Sequence, residues 1–161
     1  MKTLWYFTLL VTLLVAGLVL AGQLGFLSGT VPQELGVTDG RLRPPSRTPN
    51  SVSSQAKLYP EHPQRAYASI APLAYTGDGD VAMTRLTVLL KKSERTVVVT
   101  QQPGYIYAQS TTPLLKFTDD IEFWLDKPNS AIQVRSASRL GRNDFGVNRA
   151  RVESIRAQFL S

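Results

Sequence analysis

Hydrophobic residues follow three different rhythms along this chain. Residues 4–21 are almost unbroken apolar, residues 29–63 are sparse in apolar side chains, and from residue 81 apolar and polar positions interleave at helix or strand spacing. In the first stretch Lys2 is the last charge before Glu34, and Trp5 and Tyr6 stand near one end. A membrane-crossing helix needs roughly 20 apolar residues, and aromatic rings favour the interface. Residues 1–28 therefore read as a transmembrane anchor. A cleaved signal peptide ending at Ala21 and Gly22 is the competing reading. Gln23 stands where a lipidated cysteine would have to be, which excludes lipidation. Lys2 precedes the span, and Glu34 and Asp39 come before the first basic residue after it, Arg41. The positive-inside rule then puts the main domain outside the cytoplasm, on the periplasmic face if the cell is bacterial.

The interleaved part predicts two helices and four strands. In residues 81–92, Val81, Leu86, Leu89 and Leu90 give a helical apolar face, with Asp80 as N-cap and Lys91 and Lys92 at the end that favours cations. Residues 96–100 are β-branched throughout and read as a strand. The turn 101–104, with Pro103 and Gly104, makes a hairpin with a strand over 105–111. A third strand over 117–125 puts Phe117, Asp119, Ile121, Phe123 and Leu125 on one face, and Thr118, Asp120, Glu122 and Trp124 on the other. A turn at 126–130 leads to a fourth strand, 131–137, with Ile132 and Val134 on one face and Gln133 and Arg135 on the other. A last helix begins at Asn148 as N-cap, with Val147 and Val152 as a hydrophobic staple. Val152, Ile155 and Phe159 form its buried stripe and Arg156 is exposed.

Between these parts, residues 29–63 are rich in Gly, Pro, Ser and Thr, with Pro44, Pro45 and Pro49 among them, and read as an extended linker. The chain thus divides into an anchor at 1–28, a linker at 29–63 and a domain at 64–161. The fold class is α+β: a small antiparallel sheet of about four strands, one face covered by two helices and the other polar.

Composition changes this picture in a few places. There are 161 residues, enough for one domain, 43% of them hydrophobic. Absence of cysteine excludes thiol catalysis, disulfides and thiolate metal sites. A lone histidine, His62 between prolines, is a poor metal ligand, so no metal or cofactor is expected. Ser54 and Lys57 have the Ser-x-x-Lys spacing of penicillin-binding enzymes, but no Lys-Thr-Gly follows and the segment lacks a helical pattern. The net charge of +6 permits an acidic partner. An exterior domain without a recognised nucleic-acid motif argues against nucleic acid.

Candidate chemistry concentrates near the C-terminus. Asp120 and Glu122 share the polar face with Arg135 and Gln133, so antiparallel pairing sets Arg135 across from one of the acids. Arg135, Arg139, Arg142, Arg149, Arg151 and Arg156 face only Asp144 and Glu153 between residues 135 and 156. Arg149 and Arg151 fall in a first helical turn, where the dipole disfavours cations. Compensation comes from Asp119, Asp120, Glu122 or Asp144 folded close by, or from a bound anion at Arg135, Arg139, Arg142, Asn148 and Arg149. Asp119 and Asp120 point to opposite faces and cannot form a carboxylate dyad; Asp120 with Glu122 or Asp144 could.

Three stretches resemble the family catalogued as domain of unknown function 1499. They are residues 48–54, residues 117–123, and residues 134–141 with 144–149, and the likeness extends from about Leu42 to Phe159. The resemblance implies no agreed activity. Many members carry cysteines around the Pro-Asn motif; Pro45 and Ser51 stand at those positions here. It gives weight to Asn50 and Ser53, in a motif that would dock on the arginine-bearing turn. The leading expectation is a membrane-anchored, non-catalytic envelope module that binds an anionic ligand or envelope component. The alternative is a hydrolase-like enzyme using Asp120, Glu122 or Asp144.

Overall fold

The computed structural model describes residues 1–160. Helix α1 (Lys2–Gln23) is long and apolar enough to cross a membrane, and nearly all its side chains face outward. Its end rests on the domain. A Cβ on Gly22 would lie 2.5 Å from the carbonyl oxygen of Leu115, so only glycine permits this approach. Gln23 donates from Nε2 to the Leu114 carbonyl at 2.9 Å.

The domain is α+β, as the alternation of elements predicts. Strands β1 (Ser51–Ser53), β2 (Leu73–Ala74), β3 (Thr96–Gln102), β4 (Tyr105–Thr111), β5 (Thr118–Asp126) and β6 (Ala131–Ser138) form one antiparallel sheet, ordered β1-β6-β5-β4-β3, with β2 also paired to β6. The strand count exceeds the expected four because β1 and β2 are too short to show a periodicity. β1 comes from the segment expected to be linker, and pairs Ser51, Val52 and Ser53 with Ala137, Ser136 and Arg135.

A short helix, α2 (Arg65–Ala68), precedes the two predicted ones, α3 (Gly79–Lys92) and α4 (Val147–Leu160). Asp78, not Asp80, caps α3, accepting from the amides of Asp80 and Val81. Val81 is exposed; Ala82, Met83, Leu86 and Leu90 make the buried face instead. From α4, Val152, Ile155 and Phe159 pack with them against Ile106, Ile121, Phe123, Ile132 and Val134 of the sheet.

The second face of the sheet departs from expectation. It is polar but largely covered, because residues 32–44 lie across it. Leu42 is buried there, its amide donates to Gln55 Oε1, and the Tyr59 hydroxyl donates to its carbonyl. This cover leaves Glu122 0% and Asp120 1% exposed.

Candidate functional site

Strand alternation builds the covered face. Tyr105, Tyr107 and Gln109 on β4, Asp120 and Glu122 on β5, and Arg135 on β6 point the same way, and the registers Tyr107↔Glu122 and Glu122↔Arg135 align them. Two ionic units result. In the first, Asp120 accepts from the Tyr107 hydroxyl at 2.6 Å and from Arg139 Nε and Nη2 at 2.8 to 3.1 Å. Gln109 donates to the Tyr107 hydroxyl at 2.7 Å. In the second, Glu122 Oε1 accepts from the Tyr105 hydroxyl at 2.9 Å and the Gly36 amide at 2.8 Å. Both tyrosines reach the acid diagonal to them, a contact that long side chains can make across neighbouring strands.

Arg135 completes the second unit loosely. Its Nε donates to the Pro44 carbonyl at 3.2 Å, and its Nη1 lies 3.7 Å from Glu122 Oε2, beyond hydrogen-bond reach. Glu122 Oε2 is buried without a hydrogen-bond partner. Burial pushes the Arg135 guanidinium down from its ordinary value; Glu122 opposes this, and Arg43 adds to it. Arg139 moves the other way, held up chiefly by its hydrogen bonds to Asp120. Burial, with Glu122, drives the Tyr105 hydroxyl well above the ordinary tyrosine value, and burial with Asp120 raises that of Tyr107. A cavity of about 440 Å³ opens over this face, lined by Arg43, Arg135, Arg139, Asp120 and Glu34.

Asp119, Asp144, Asn148 and Arg149 lie on the helix side. Asp119 pairs with Arg151 at 2.5 Å. Asp144 caps α4: its carboxylate accepts from the amides of Gly146 and Asn148, the Asn148 side chain and the Tyr67 hydroxyl. Burial raises the Asp144 carboxyl, but hydrogen bonds from Tyr67, Asn148 and Gly146 outweigh it and hold it below the ordinary carboxylate range. Asn148 is therefore not the N-cap. It lies inside α4, fully buried, donating to the Asn50 carbonyl and to Ser138 Oγ, and accepting from Ser136 and Arg151. Val147 belongs to the helix and is exposed, so the expected staple is absent.

Arg149 donates to the carbonyls of Tyr67 and Ser69. Asn50 donates from Nδ2 to the Gly141 carbonyl at 2.8 Å, and the Asp144 amide donates to the Pro49 carbonyl, so the Pro-Asn motif is tied to the turn before α4. Ser53 sits beneath the cover, accepting from the Gln55 amide. Arg142 is exposed.

The anion-site candidates are thus divided. Arg135 and Arg139 share the cavity; Arg142, Asn148 and Arg149 are not on it. Arg43, Tyr105 and Tyr107 were not singled out from sequence. Two tyrosines spaced by two on the strand hairpinned to Asp120 and Glu122 were the readable signal; nothing local to Arg43 points to this site. Among the described residues no cluster of His, Asp and Glu could hold a metal ion.

No curated protein and no solved structure matches the chain significantly. The family model described as protein of unknown function DUF1499 matches residues 41–159, beginning where the chain crosses the polar face and ending in α4. That span contains every strand, all the side chains of both ionic units and the capped turn, and the chain belongs to the DUF1499 family.

Proposed function

We propose that the chain is a membrane-anchored, non-catalytic envelope module facing outside the cytoplasm, and that it binds a small anionic group in the cavity of Arg43, Arg135 and Arg139. One observation carries this reading. Arg135 is 5% exposed and borders the cavity, yet its Nη groups make no hydrogen bond among the described residues. A buried guanidinium with unspent N–H groups offers the fork that carboxylate or phosphate oxygens fit. Arg43 lines the same cavity and is itself only 3.8 Å from the exposed Glu34. Arg139 is spent on Asp120 and Tyr107, so it shapes the wall and adds charge.

The hydrolase-like alternative has less to support it. Asp120, Glu122 and Asp144 each sit in their own hydrogen-bonded set, and Asp144 serves a helix cap on the other side of the sheet.

The test is thermal unfolding of the full chain in detergent with phosphate or sulfate. Saturable stabilisation is expected, about 2.7 kcal/mol at 100 times Kd, and larger than with chloride at matched ionic strength. Arg43→Gln should remove it while the chain stays folded. Equal effects of chloride and phosphate would sink the anion site.

A further inference from the structure

The end of the sheet that receives α1 differs from the opposite end. Loop 112–117 leaves β4 and loop 139–146 leaves β6 at this same end, since Thr111 pairs with Thr118 and Asp119 with Ser138. One loop meets the anchor and the other the chain just after it. Loop 112–117 holds Gly22 and Gln23, and Leu140 lies against Gly29, where an added Cβ would be 3.1 Å from its side chain. Both loops also present large apolar side chains to solvent: Leu114 is 57%, Leu140 42% and Phe145 91% exposed. Phe145 has a φ of +50°, a left-handed conformation unusual for a bulky residue, so the turn presents the ring at a conformational cost.

The charges here are unbalanced. Lys116 is half-buried and Arg142 exposed. Asp144, the acid in these loops, is consumed by Tyr67, Asn148 and its own helix cap. The adjoining turn adds Glu94 and Arg95, which pair with each other at 3.0 Å. Exposed apolar tips beside uncompensated cations suit an anionic bilayer surface, where rings and leucines enter the headgroup region and cations meet lipid phosphates.

We infer that this end of the domain is a membrane-contact face, with Leu114, Leu140 and Phe145 inserted at the headgroup level and Lys116 and Arg142 on anionic headgroups of the bilayer that α1 crosses. The inference rests on α1 being a retained anchor and extends that reading from the helix that crosses the bilayer to the part of the domain that touches its surface.

The chain has no cysteine, so a single introduced thiol reports one place. Full-length Leu114→Cys and Phe145→Cys carry an environment-sensitive fluorophore in vesicles of phosphatidylcholine with phosphatidylglycerol; Gln102→Cys labels the opposite end. Brominated lipids should quench positions 114 and 145 several-fold more than position 102, and aqueous iodide should do the reverse. Lys116→Gln with Arg142→Gln should bring the quenching by lipid down to that seen in phosphatidylcholine alone. Iodide reaching all three labels equally overturns the inference. Protection of 114 and 145 from both quenchers also overturns it, since protein then covers them. Flotation of the same vesicles after alkaline carbonate reads the anchor separately, so failure of the anchor and failure of this face give different results.

Discussion

Asp120 and Arg139 show how much depends on a single buried pair. Their side chains are 1% and 5% exposed, so each charge depends mainly on the other. Breaking such a pair from one side leaves an uncompensated buried charge and costs roughly 3–5 kcal/mol. Asp120→Asn and Arg139→Gln should therefore each lower stability by about that amount in denaturant unfolding, whereas Asp120→Leu with Arg139→Met should cost far less than the sum. Additive losses would show that the two do not act as a pair. The tyrosines give a second test. Tyr105 and Tyr107 have raised values in the folded chain, so their contribution is complete below the ordinary tyrosine pKa of about 10 and is lost as pH rises through the folded values. In an ultraviolet titration both should ionise only as the chain unfolds, and Tyr105→Phe should remove one late-titrating group. Early ionisation of all tyrosines would contradict the burial. That Arg135 faces an acid was legible from alternation alone. That the pair is buried was not, because the residues covering it lie some ninety positions away in sequence.

α4 is the element in which periodicity was most informative and capping least. Val152, Ile155 and Phe159 recur at three- and four-residue spacing and are all buried. Phe159→Ala should cost about 3–5 kcal/mol, including loss of the Arg85 guanidinium 4.4 Å from the ring centre. Arg156, expected to be exposed, instead donates to the carbonyls of Pro72 and Ala71 and to Glu153. Bonds from a charged donor contribute roughly 1.5–3 kcal/mol, so Arg156→Ala should be clearly destabilising rather than neutral. The start of α4 has its own signature. Asp144 has a lowered folded value, so its contribution is present above the unfolded carboxylate pKa of about 3.9 and is lost as pH falls through the folded value. Asp144→Asn should flatten that part of the acid unfolding profile. An unchanged profile would mean that the cap contributes no pH dependence. The sequence pattern places the cap at Asn148; the turn geometry, with Phe145 and Gly146 both at positive φ, instead lets Asp144 reach the first amides.

For the whole molecule, the orientation predicted from Lys2, Glu34 and Asp39 is checked by a compartment-sensitive reporter fused after Ser161. Activity only outside the cytoplasm is the expected outcome; a mature chain beginning near Gln23 would replace the anchor with a cleaved leader. By itself the sequence determined what repeats locally. It marked the apolar run of α1, the hairpin of β3 and β4, the two faces of β5 and β6, and the stripe of α4, because one side of each element has to be apolar over several turns or pleats. Tertiary structure decided what depends on distant partners. β1 and β2 have too few residues to carry a period and exist through pairing with β6. The segment at 32–44 is poor in apolar residues and reads as solvated, yet its backbone groups find Glu122, Arg135 and Gln55 and cover the polar face. Hydrogen bonds between groups far apart in sequence leave no local pattern, so only the folded chain shows that its charged face is an interior.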